Sequence, residues 1–175
     1  MDFQKHAIIL AVIEHLKKHG SWTGKTHVQK ALFLVSAATP VNVPFEFVLY
    51  KHGPYSFDVE AELEEMLSYG AVVIETDPDG YGVVLRPGAN ASLIKRLVRL
   101  PGEDEQAIEQ VCVFIGERRV TELEPIATAA WIRVREQIDD PQYVAQRLRD
   151  LKPHISLPEV RWADKEVVKL LGTAA

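Results

Sequence analysis

From Ala91 to the end of the chain, apolar residues recur only at helical spacing, and no stretch alternates as a half-buried strand does. Any β-structure is therefore confined to the residues before Ala91, which rules out a large central sheet. Ile108, Val111, Cys112 and Ile115 make one helical stripe, and Leu123, Ile126, Ala127, Ala130, Trp131, Val134 and Ile138 make a longer one. Thr121-x-x-Glu124 reads as a capping box for the longer helix. Asp140-Pro141 reads as an N-cap with proline at the first helical position, and Ser156-x-x-Glu159 with Pro158 opens the last helix. The expectation for residues 89–175 is a bundle of short helices.

Residues 1–88 are mixed. Ile9, Val12, Ile13 and Leu16 form the stripe of helix one, which stops at Gly20 after the cationic Lys17, Lys18 and His19. Helix two runs from Thr26 to Ala38 on Val28, Ala31, Leu32 and Val35. Phe45, Phe47 and Leu49 alternate with Glu46, Val48 and Tyr50 as a short strand, which Gly53-Pro54 ends. Ser56 caps helix three, whose buried stripe is Val59, Leu63, Met66 and Leu67, and which closes at Gly70. Residues 71–75 and 81–86 flank the turn tetrad Asp77-Pro78-Asp79-Gly80 and predict a β-hairpin. The reading is a mainly α (α+β) chain, a single domain over 1–175. Its winged-helix-like half carries the hairpin as wing, and a helical half follows.

With 175 residues and 47% hydrophobic content, the chain can bury one core without disulfides or metals. A formal charge of −5 gives no global attraction to phosphate or anionic lipid. Cys112 is the only cysteine and lies in an apolar stretch, which suits a core hydrophobe and a reducing compartment. The run Ala7–Ile13 is too short to span a bilayer and no cleavage site follows it. A cytoplasmic protein without a membrane segment is expected.

The motifs that carry chemistry fail on inspection. Gly20 to Thr26 ends in Gly-Lys-Thr, but a phosphate loop needs four residues between its glycines and a strand before it. Here there are three residues and a helix, so an inter-helix turn capped by Thr23 or Thr26 is preferred. His15 and His19 share a helix face at a zinc-ligand spacing. Lys17 and Lys18 beside them disfavour a cation, and the residues read as a solvated helix end. No Gly-x-Ser-x-Gly elbow exists and Cys112 is poorly placed as a thiolate, so no nucleophile, metal or cofactor is expected and the chain reads as a non-enzyme. Tyr50, His52 and Tyr55 around Gly53-Pro54 read as a rigid corner in preference to acid–base groups.

Helix three is the most informative element. It holds Asp58, Glu60, Glu62, Glu64 and Glu65 with no lysine or arginine, a set that phosphate rows in a major groove would repel. Glu75, Asp77 and Asp79 outnumber Arg86 in the wing. A duplex-binding transcriptional regulator, the alternative reading, has to use the later cations Lys95, Arg96, Arg99, Arg118, Arg119, Arg133, Arg135, Arg147 and Arg149.

Val28-Gln29-Lys30-Ala31-Leu32-Phe33-Leu34, Phe45-Glu46-Phe47 and the heptad Tyr50-Lys51-His52-Gly53-Pro54-Tyr55-Ser56 together resemble the signature of the Panacea, or SocA-like, antitoxin domain. Residues 123–129 and 151–156 are similar to the bacterial YwgA-like proteins, which share that front half. The resemblance implies a bacterial or phage protein that acts by direct contact with a partner, as an antitoxin or as an adaptor to a protease, and it implies no catalytic residue. The expected partner surface is the corner and the start of helix three, with Tyr50, His52, Tyr55, Asp58 and Glu62 as its residues.

Overall fold

Two helices from the front of the chain are buried on every side, and the other elements wrap around them. In the computed structural model, which describes residues 2–77 and 82–173, these are α1 (Phe3–Lys18) and α2 (Lys25–Ala38). They are followed by β1 (Val48–Tyr50), β2 (Gly53–Tyr55), α3 (Phe57–Ser68), β3 (Val72–Thr76), β4 (Val83–Pro87), α4 (Ala91–Leu97), α5 (Gly102–Ile115), α6 (Val120–Val134), α7 (Pro141–Leu151) and α8 (Leu157–Thr173). The described chain is mainly helical with two antiparallel hairpins, β1–β2 and β3–β4. No strand occurs after Pro87 among the described residues, as the periodicity requires.

Helix α1 exceeds its predicted stripe. Ala7 through Ile13 are buried without interruption because α1 packs against α2, α3, α4, α5 and β4. A helix enclosed in this way must be apolar around its circumference. Helix α2 is enclosed by α1, α5, α6, α8 and β2, and one hydrophobic cluster runs from Ala7 to Leu170. The front and back halves therefore share a core.

Local signals explain most element ends. The Asp2 carboxylate caps α1 by accepting from the backbone N–H of Gln4 and Lys5. Ser56 caps α3 through Val59 N–H, and Asp140 caps α7 ahead of Pro141. The Glu159 carboxylate accepts from Ser56's later counterpart, Ser156, at the start of α8. Gly20 and Gly70 end α1 and α3 with φ of 73° each, a conformation that glycine adopts at little cost.

Four expectations are corrected. Phe45 and Phe47 are buried but lie in extended chain before a strand of only three residues, and Gly53-Pro54 belongs to a second strand instead of ending the first. The capping box of α6 sits two residues earlier than Thr121-x-x-Glu124: the Glu122 carboxylate accepts from Arg119 N–H at 2.9 Å, while Glu124 is drawn to an ammonium described below. Helix α6 stops at Val134, and Gln137, with φ of 58°, turns the chain so that Ile138 packs on the core from outside the helix. Thr23 and Thr26 do not cap α2. Gly24 holds that position, and Thr23 donates to the Leu85 carbonyl and accepts from Arg86, tying the α1–α2 turn to β4. The predicted tetrad Asp77-Pro78-Asp79-Gly80 falls largely outside the described residues; beside it, Asp77 N–H donates to the Gly82 carbonyl at 2.9 Å.

Because α1 is central, Leu10→Ala, off the predicted stripe, is expected to cost as much as Ile13→Ala, about 2–5 kcal/mol. Urea denaturation of the two variants measures this, and a cost below about 1 kcal/mol at Leu10 contradicts the enclosed position.

Candidate functional site

The heptad from Tyr50 to Ser56 folds as a tight hairpin whose backbone is gripped from below by buried polar side chains. Val48 pairs with Tyr55, Leu49 with Pro54 and Tyr50 with Gly53, leaving Lys51-His52 as the connecting pair. Gly53 is required twice over. Its φ is 93°, and a Cβ there would lie 3.0 Å from Thr128 Oγ1 on α6.

Three side chains hold the corner. Gln29 on α2 donates its amide to the Ser56 carbonyl at 2.8 Å and accepts from Ser56 N–H at 3.0 Å, a two-bond clasp on the residue that caps α3. Lys30, 2% exposed, donates to the Pro54 carbonyl at 2.9 Å. Lys152, 4% exposed and just beyond α7, donates to the Lys51 carbonyl. Its ammonium also lies 2.9 Å from Glu124 Oε1 of α6, an ion pair without hydrogen-bond alignment. His52 Nδ1 and His154 Nε2 stand at 3.9 and 3.6 Å from the same carboxylate.

The Glu124 carboxylate thus pairs with Lys152 and acts on Lys30 through space. Burial pushes the Lys30 amine down to about 8, an effect that nearby Glu124 opposes and Lys152 reinforces. Above the grip lies a cleft of about 200 Å³ lined by Lys25, Gln29, Lys30, Tyr50, His52 and Tyr55, among others. The larger grooves along α5–α8 and α7–α8 have their buried carboxylates, Glu166 and Asp164, already paired with Arg118 and Arg133.

The outer face of the corner is aromatic. Tyr50 and Phe57 are 57% and 61% exposed, and the rings of Tyr50, Tyr55 and Phe57 form a closed triangle with centroids 5.1–5.7 Å apart. Val48 extends this patch along β1. Contiguous exposed rings of this kind have no role in the core.

Of the predicted surface residues, the structure brings together Tyr50, His52 and Tyr55, with Asp58 exposed at the start of α3. Glu62 is not among them. It is turned to α1, where it meets His6 Nε2 at 2.7 Å and Lys5 Nζ at 3.2 Å. Glu60 and Glu64 lie 3.7 and 2.6 Å from Lys25 Nζ, so the acidity of α3 is partly compensated within the molecule. Sequence reasoning missed Phe57, Gln29, Lys30, Glu124 and Lys152. The available signal was the polar pair Gln29-Lys30 set between the apolar Val28 and Ala31.

Elsewhere, burial pushes the Cys112 thiol up to about 12, in keeping with a core residue. His15 and His19, read as a solvated helix end, face Glu105 and Glu109 of α5. Lys18 and His19 together hold the Glu109 carboxyl down at about 2. No helix among the described residues is long and apolar enough to cross a membrane. No protein-family model matches the chain, and no curated protein matches it.

The buried amine has a measurable consequence. Between about pH 8 and the ordinary lysine value of 10.5, Lys30 is neutral in the folded chain and protonated in the unfolded one, so unfolding takes up a proton. Stability contributed at this site therefore rises with pH across that window. Relative to Lys30→Met, the wild type is expected to gain about 3 kcal/mol from pH 8 to 10.5, read from denaturation midpoints at each pH. A flat difference contradicts a depressed amine.

Proposed function

We propose that this chain is a non-enzymatic, protein-binding regulatory module of the Panacea/SocA-like or YwgA-like type, an antitoxin or adaptor that acts by direct contact with a partner protein. The observation that carries the reading is the exposed triangle Tyr50–Tyr55–Phe57 on a corner clamped by Gln29, Lys30 and Lys152. Aromatic anchors dominate interface energetics, and a corner already fixed before binding loses little conformational freedom on association. Asp58, Glu60 and Glu64 at the rim favour a basic partner and act on the association rate.

The duplex-binding alternative loses three of the arginines it needs to internal ion pairs. Arg118, Arg133 and Arg147 are committed to Glu166, Asp164 and Glu136. A second reading does have an observation behind it: a buried amine with a lowered pKa lining a cleft with tyrosines and a histidine is a setting that catalysis also uses. Phe57 separates the two, since it belongs to the triangle and does not line the cleft.

The test is calorimetry of the purified chain with the products of the genes flanking its own. A flanking product is expected to bind, more weakly as salt is added, and Tyr55→Ala and Phe57→Ala are each expected to cost about 2–4 kcal/mol of affinity. Absence of association at low salt with every flanking product overturns the proposal. Function lost on Lys30→Met but kept on Phe57→Ala favours the cleft.

A further inference from the structure

The one buried lone pair that the α1–α5 contact leaves unused belongs to His15, and it lies among metal-binding groups. Helix α1 carries His15 and His19 one turn apart, and α5 places Glu105 and Glu109, also one turn apart, against them. His15 Nε2 is 3.0 Å from Glu105 Oε2. A carboxylate only accepts, so the Nε2–H tautomer satisfies this bond, and in that tautomer the lone pair is at Nδ1. That Nδ1 is buried and has no hydrogen-bond partner. Its nearest acidic neighbour, Glu109 Oε1, is 3.9 Å away, beyond bonding reach, and His19 Nε2 is 2.9 Å from the same oxygen. One ligand atom from each of His15, His19 and Glu109 falls within 4.8 Å of the others.

We propose that His15, His19 and Glu109 form a binding site for a divalent transition cation, zinc by its ligand chemistry, with Glu105 orienting His15 from behind. A tetrahedral zinc ion with bonds of about 2.0–2.1 Å sets its donors roughly 3.3 Å apart. The observed 2.9 and 3.9 Å from Glu109 Oε1 bracket that value. The Glu105–His15 bond supplies the carboxylate–histidine arrangement that fixes a ligand's tautomer and raises its basicity. Two imidazoles and one carboxylate suit zinc and disfavour magnesium or calcium, which take oxygen ligands. The fourth position is left to water, because His19 and Glu109 are partly exposed.

Without metal, the Lys18 ammonium and the His19 N–H occupy Glu109 Oε1, the former at 2.6 Å. Binding replaces both. The exposed Lys18 swings into solvent, and His19 gives up its Nε2 proton or carries it at Nδ1. The cationic neighbours that argued against a metal from sequence are therefore movable counterions in the case of Lys18, and α5 supplies carboxylates that the linear pattern of α1 does not reveal. The ion would join α1 of the front half to α5 of the back half.

Titration of the metal-free full-length chain with ZnCl2 by calorimetry tests the assignment, with Co2+ absorption as a second readout. One ion per chain is expected to bind in the micromolar range or tighter, with a rise in melting temperature on adding zinc. Tetrahedral Co2+ bands are expected, with no response to Mg2+. His19→Ala and Glu109→Gln are expected to abolish binding, and Glu105→Gln to weaken it about 10–100-fold. His52→Ala and His154→Ala, at the other histidine cluster, are expected to leave it unchanged. Lys18→Ala, an exposed change that does not threaten folding, is expected to tighten it. Millimolar or absent zinc binding, binding that survives His19→Ala, or a Lys18→Ala variant that binds no better than wild type overturns the proposal.

Discussion

A helix enclosed on all sides can carry polar side chains only if each finds a partner inside the protein, and α2 carries three within four positions. An unpartnered buried polar group costs about 1–3 kcal/mol, and a charged one more. His27, Gln29 and Lys30 each bond backbone, with His27 Nδ1 the one ring nitrogen of the three side chains left without a partner. His27 Nε2 donates to the Arg118 carbonyl between α5 and α6, Gln29 clasps Ser56, and Lys30 takes the Pro54 carbonyl. Burial lowers the His27 pKa, which keeps the ring neutral and suits it to a single N–H donation. The Pro54–Ser56 corner and the α5–α6 connection are tied to α2 by these bonds.

The candidate site inherits its geometry from this requirement. The β1–β2 hairpin has only three residues per strand, too few to be stable alone, and it is positioned by side chains beneath it as much as by its own ladder. Lys152 adds a hold from the far end of the chain, so residues more than a hundred positions apart define one corner. With the backbone committed inward, the rings of Tyr50, Tyr55 and Phe57 have only the outer face to occupy. The buried side chains of Gln29, Lys30 and Lys152 thus support an exposed aromatic surface.

Much of the fold was legible because it rests on local rules. The apolar repeats of α5 and α6, the caps at Ser56, Asp140 and Ser156, and the hairpin after α3 each state their own structure. What was not legible is cooperative. Nothing local separates a helix buried on one stripe from one buried all round, so Leu10 read as ordinary while Ile13 read as core. Glu124 followed a capping pattern, yet an ammonium that arrives from beyond α7 is a better partner than a backbone N–H. At the site, the corner residues were visible as a Gly-Pro turn flanked by tyrosines. The grip of Gln29, Lys30 and Lys152 was hidden, since pairings between α2 and the chain beyond α7 exist only in the folded molecule.

The central claim is that the Gln29 side chain holds the backbone of Ser56 as firmly as secondary structure would. Amide hydrogen exchange at Ser56 reads that bond alone, because its N–H is donated to Gln29 Oε1 at 3.0 Å and to no backbone group. The account predicts exchange at Ser56 within about tenfold of the slowest α2 amides, and acceleration there in Gln29→Ala while α1 amides remain protected. Exchange in the wild type at the rate of an exposed loop amide would contradict it.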